Sequence, residues 1–235
     1  MGDFMKDINV NLPRSSGRYD FLSSLSASLR RQSFNCRLLL PLAAVVLFLA
    51  GCGGPKPVSE PLYFDMLSDW TRSVKVFDGL DAKVYMTATY KDPAFITSYI
   101  KRYSKAFKLE DSYAEALLER ELGEAERYNE FFISVYTPDD SWNDLARQSS
   151  IWRLYLEDDT GARLVPLSVS QVDKVDPLIR DFFPYYDMWA TAYRVKFPKY
   201  SETGTEPIPN ASTKHIKLTV TGIMGEGTLE WRLKE

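Results

Sequence analysis

Period-two alternation of apolar and polar side chains governs the chain from Ala82 onward, and it leaves room for little except antiparallel β-structure. Successive side chains of a strand point to opposite faces, so each alternating segment carries one apolar face. Those faces are Val84, Met86 and Ala88; Trp152, Leu154 and Leu156; Val165, Leu167 and Val169; Tyr193, Val195 and Phe197; Ile216, Leu218 and Val220; and Leu229, Trp231 and Leu233. The predicted strands are 70–77, 82–90, 131–137, 151–157, 163–170, 188–197, 215–221 and 228–233. Asp78-Gly79 tolerates the positive φ of a tight hairpin, and Asp158–Gly161 and Gly222–Gly227 supply two further turns. Strands with one apolar face each bury it by pairing two sheets face to face. The expectation is a mainly β, antiparallel two-layer β-sandwich, Ig-like or related, forming a single domain over residues 62–235.

One stretch, at about residues 92–128, breaks the pattern. Asp92-Pro93 is a strong helix start: an N-cap followed by a proline whose missing N–H costs nothing at the first helical position. Phe95, Ile96, Tyr99, Ile100, Tyr103 and Phe107 then recur at helical spacing. A second helix fits Ser112 to Tyr128, with Glu115, Glu119, Glu121, Glu124 and Glu126 on its charged side. The reading is a helical hairpin inserted between the second and third strands. A shorter helical turn fits Asp176 to Phe183.

The N-terminal quarter is different again. Leu38 to Gly51 is a run of fourteen residues without a charge, preceded by Arg30, Arg31 and Arg37. As a helix it would span about 21 Å, short of the roughly 30 Å hydrocarbon core of a bilayer. That length, with its basic flank, suits a signal-peptide hydrophobic region better than a membrane span. The run ends in Leu49-Ala50-Gly51-Cys52. Residues 30–54 resemble the lipobox region of bacterial lipoprotein precursors. The resemblance implies that Leu49, Ala50 and Gly51 are signal-peptidase recognition positions. It implies that Cys52 takes a diacylglyceryl group on its thiol and is often acylated at its amine, with fatty acids such as palmitate. Residues 1–51 would then be an N-terminal extension with signal peptide, and residues 52–61 a lipidated cysteine with a Gly- and Pro-rich flexible tether. Gly53 rather than Asp after the cysteine favours the outer membrane in a cell that has one.

Charge and chemistry narrow the rest. The full chain carries a net charge of -3. Residues 1–51 hold six basic and three acidic residues, so the 23 basic and 29 acidic residues from Cys52 onward carry -6. An acidic domain without a basic stripe is a poor partner for nucleic acid. Of the two cysteines, Cys36 would leave with the signal peptide, so Cys52 would have no disulfide partner. His215 is the single histidine, and there is no GxSxG elbow, P-loop, GxGxxG or HExxH.

Two local features could still carry a ligand. Asp139, Asp140, Asn143 and Asp144 bring oxygen donors into one loop, as Ca²⁺ requires, although an Asx-rich turn with Trp142 tucked under the sheet explains the same residues. Phe182, Phe183, Tyr185, Tyr186 and Trp189 could form a ligand or partner surface, or pack the end of the sandwich. The expected function is a membrane-anchored envelope lipoprotein acting as a non-enzymatic binding or assembly module, with an envelope protein or small ligand as partner and no cofactor. The alternatives are a hydrolase or carbohydrate-active enzyme working from acidic side chains, and a Ca²⁺-stabilised adhesive module.

Overall fold

The computed structural model describes residues 61–172, 177–201, 204 and 206–233; the lipobox, Cys52 and residues 53–60 lie outside the described residues. Helix α1 (Pro61–Asp69) leads into the hairpin of β1 (Thr71–Asp78) and β2 (Asp81–Tyr90). Helices α2 (Pro93–Phe107) and α3 (Asp111–Arg127) form the insertion, and β3 (Tyr128–Tyr136) follows. Strands β4 (Trp152–Asp158), β5 (Arg163–Leu164) and β6 (Ser168–Gln171) come next, then the short helix α4 (Pro177–Phe182) and β7 (Thr191–Pro198). The hairpin β8 (His215–Gly222) and β9 (Gly225–Arg232) closes the domain.

The strands form two antiparallel sheets, ordered β1-β2-β3-β7-β6 and β5-β4-β8-β9. The alternation read from the sequence sets their inner faces. Val84, Met86 and Ala88 of β2, Phe131, Ile133 and Val135 of β3, and Tyr193, Val195 and Phe197 of β7 face Trp152, Leu154 and Leu156 of β4, Ile216, Leu218 and Val220 of β8, and Leu229 and Trp231 of β9. The sandwich is therefore as expected. Two segments depart from expectation. The strand predicted over 163–170 is two strands in different sheets: β5 pairs with β4, and β6 pairs with β7. Pro166 lies in the crossing, where it has no ladder N–H to give. Val165 and Leu167 are accordingly exposed rather than inward. The final hairpin is also tighter than expected, turning over Ile223-Met224 between the paired Gly222 and Gly225.

The helices add a third layer. Phe132, on the outer side of β3, stacks on Phe183 with ring centroids 4.0 Å apart. The Tyr185 and Thr89 hydroxyls are hydrogen-bonded at 2.7 Å, tying the segment after α4 to β2. Tyr63 of α1 donates to the Phe182 carbonyl at 2.7 Å. Phe95 and Tyr99 of α2 pack around the same rings, with Tyr99 at 4.7 Å from Phe182. Among the described residues no helix is long and apolar enough to cross a membrane.

At the open edge of the second sheet, β9 lies close against β1. Gly227 permits that approach: a Cβ there would fall 2.9 Å from Val76 Cγ2 and 3.0 Å from Val74 Cγ2. Gly227→Ala should therefore lower stability by about 1–3 kcal/mol through overpacking, measured by denaturant unfolding. Adding Val76→Ala should recover part of the loss; no recovery would show that the two strands do not meet as described.

Candidate functional site

The loop offered by the sequence as a cation site spends its oxygens on the fold. Asp139 caps the 3-10 turn Asp140–Trp142, accepting from the Ser141 amide at 2.8 Å and its hydroxyl at 2.6 Å. Those two bonds hold its carboxyl below the usual range. Asn143 donates through Nδ2 to the Val135 carbonyl at 2.9 Å, and its Oδ1 lies 2.8 Å from the Tyr193 hydroxyl. Asp144 is buried and accepts from the Ser150 hydroxyl at 2.8 Å and the Ile151 amide at 3.3 Å. Asp140 points to solvent. Asp139 and Asp144 serve different partners, and no group of three or more His, Cys, Asp or Glu able to hold a metal ion occurs among the described residues.

The aromatic cluster divides. Phe182, Phe183 and Tyr186 are buried beneath the helices, and Tyr185 is tied to Thr89. Burial pushes the Tyr185 hydroxyl well above its ordinary value. Trp189 and its neighbour Met188 stand free of this packing and are exposed. Asp187 holds them out, accepting the Trp189 and Ala190 amides at 2.9 and 3.0 Å.

The acidic helix finds much of its counter-charge within the chain. Glu121 of α3 and Glu130 of β3 both bind Lys91, at 3.3 and 3.0 Å. Glu124 reaches Lys196 at 3.2 Å, and Arg194 lies 3.3 Å from Glu130. Burial alone would lower the Lys91 pKa, but Glu130 and Glu121 outweigh it and the net direction is upward. Burial pulls Arg194 down to about 10. This network fastens α3 to the sheet and leaves Glu115, Glu119 and Glu126 in solvent.

The remaining unexplained surface lies at the end of the sandwich where the β1–β2 and β8–β9 turns emerge. Three pairings place other elements there. Tyr85 is opposite Tyr136, Val135 is opposite Thr191, and Gly222 is opposite Trp152. Five large apolar side chains project at this turn end: Leu80 is 99% exposed, Ile223 86%, Trp189 70%, Met188 68% and Phe77 50%. Just behind them an aromatic row crosses the outer face of the first sheet. Phe77 lies 5.8 Å from Tyr85, and Tyr85 lies 5.6 Å from Tyr136. Lys75 sits over the Tyr85 ring at 5.0 Å, and Lys83 over Trp142 at 5.8 Å.

Sequence reasoning included Trp189 in this surface but missed Leu80, Ile223, Phe77, Tyr85 and Tyr136. A readable signal existed. Leu80 and Ile223 occupy two-residue hairpin turns, positions that favour Gly, Asn and Asp, so a large apolar side chain there serves neither turn nor core. A concavity of about 510 Å³ lies on the outer face of the four-stranded sheet around Tyr155. Its charges pair with each other, Glu157 with Arg163 and Glu230 with Lys217, and the Arg163 guanidinium covers the Tyr155 ring. No known protein family matches the chain, and no curated protein or solved structure does either.

Two outcomes test these assignments. Asp144→Ala strands two donors and should cost about 1–3 kcal/mol, equally with and without Ca²⁺, in thermal unfolding. Lys91→Met leaves two partly buried carboxylates short of counter-charge and should destabilise by about 3 kcal/mol. A midpoint raised by Ca²⁺ in the parent chain and not in the Asp144 variant would restore the cation site.

Proposed function

We propose that this chain is a bacterial lipoprotein, held in the cell envelope by lipid on Cys52, whose domain works as a non-enzymatic binding or assembly module. One observation carries the binding part of the reading: the turn end gathers five exposed large apolar side chains beside an aromatic row. Several exposed large apolar side chains at one end of a fold support an interaction surface there. The anchoring part is supported by the charge-free run Leu38–Gly51, its arginine flank and the sequence Leu49-Ala50-Gly51-Cys52. Peptidase recognition falls to Leu49, Ala50 and Gly51, and lipid attachment to Cys52. In a two-membrane cell, Gly53 favours the outer membrane.

The physical logic joins the two parts. A lipid anchor confines the domain to a thin layer above the bilayer and raises its effective concentration toward anything else in that layer. A weak surface then suffices for occupancy. The test is incorporation of labelled fatty acid in a bacterial host. The parent chain should take up label and begin at Cys52 by mass spectrometry. Cys52→Ser should take up none and keep its N-terminal segment. Label on the Cys52→Ser chain, or a parent chain that stays uncut, would overturn the reading.

A further inference from the structure

The turn end has a chemistry that identifies what it meets. Going outward along the sandwich axis, Tyr85 and Tyr136 come first, flanked by Lys75, Lys83 and Trp142. Beyond them stands Phe77, and the turns themselves present Leu80 and Ile223, while exposed Trp189 lies two residues before Thr191, which pairs with Val135 beside Tyr136. Tyrosine, tryptophan and lysine are the residues that settle at the headgroup level of a bilayer, with the amine reaching for phosphate. Leucine and isoleucine belong to the acyl layer below. We propose that the turn end inserts into the bilayer surface, with Leu80 and Ile223 entering the acyl boundary and the Trp, Tyr and Lys belt resting among the headgroups.

Three observations favour lipid over a protein partner. The apolar side chains sit on separate projections, the β1–β2 turn, the β8–β9 turn and the segment before β7, and not along one continuous groove. Separate points suit a fluid that closes around each of them. The order of the aromatic and aliphatic side chains along the axis, tyrosines first and Leu80 and Ile223 outermost, is that of a membrane interface. The reach is adequate as well. Residues 53–60, fully extended, span at most about 30 Å, and a ten-residue strand such as β2 is about 33 Å long. A domain anchored at Cys52 is therefore held within about one strand length of the surface.

Charge defines which lipid. Asp78, Asp81 and Asp187 outnumber Lys75 and Lys83 at the projections, so attraction to anionic headgroups is not the driving force. The contact is apolar, with zwitterionic lipid, and insensitive to salt. This inference builds on the anchored reading, since a few inserted side chains hold weakly without a second attachment.

The test uses the full chain purified from membranes and reconstituted into phosphatidylcholine vesicles, with and without brominated acyl chains. Of the five tryptophans, Trp152 and Trp231 are buried, Trp70 and Trp142 are half-buried and Trp189 is exposed, so the part of the quenching that Trp189→Phe removes is the part that reports on Trp189. Brominated lipid should quench the parent chain, and Trp189→Phe should clearly reduce that quenching, with Trp142 supplying the remainder. The double variant Leu80→Ser, Ile223→Ser should keep the parent melting midpoint, both sites being exposed, yet lose about two-fold or more of the quenching. Adding phosphatidylglycerol or salt should change little. Trp189 open to aqueous iodide and untouched by brominated lipid would overturn the inference. So would quenching that depends on anionic lipid. Mass spectrometry of the same sample separates the two failures: a Cys52 without lipid defeats the anchor, and a lipidated chain with unquenched Trp189 defeats the insertion.

Discussion

Phe132 stacks on Phe183 from the outer side of β3, while Phe131, Ile133 and Val135 of the same strand fill the core between the sheets. A strand buried on both faces needs apolar residues at both phases of the alternation, and Phe131-Phe132-Ile133 supplies them. The stack decides where the helical layer sits. It draws α4 and the segment after it over Phe132 and Thr89, and α1 and α2 close around the same rings. Stripping Phe183 to alanine would cost the layer about 3–5 kcal/mol of packing. The cover reaches Thr89 and Phe132 but stops short of Tyr85 and Tyr136, one end of the sheet. What the helices leave bare is the turn end, so the candidate surface follows from the same contact that organises the core.

Charge fixes the third helix where apolar contact alone would not. Leu117 is the one buried residue of α3 among the described residues. Glu121 and Glu124 then engage Lys91 and Lys196 in a half-buried setting, where ion pairs act as positioning devices more than as sources of stability. Asn129 performs a similar task at the end opposite the turns. Its Nδ2 donates to the Pro198 and Ile208 carbonyls at 3.1 and 2.7 Å, and its Oδ1 accepts from Tyr90 and Lys199. A fully satisfied buried amide of this kind ties Lys199 and Ile208 to β3.

Most of the sandwich was legible because alternation reports directly on which face is buried. The helical insertion was legible from Asp92-Pro93, and Asp92 does cap α2 by accepting the Ala94 amide. The failures have physical reasons. In 163–170 the alternation continues through Pro166 while the backbone changes sheets, so period alone promised an inward Val165 and Leu167. Helix α1 was missed because Pro61–Asp69 has too few turns to show a period. Phe182, Phe183 and Tyr186 could not be told from a surface cluster, because burial under helices distant in sequence is a tertiary fact. The carboxylates at 139–144 were visible as donors, but their partners Ser150 and Ile151 were not.

The central proposal is that the domain is anchored through Cys52 and that the end of the sandwich left bare by its own helices touches the bilayer. Hydrogen exchange tests it without altering a side chain. The lipidated chain on phosphatidylcholine vesicles is compared with the same domain released by cleavage between Cys52 and Pro61. Insertion predicts slower exchange on the vesicle in the two turns, residues 78–81 and 222–225, and in the segment 187–190, with α3 and residues 206–213 unchanged. Protection spread over α3, or equal exchange in both states at the turns, would contradict it.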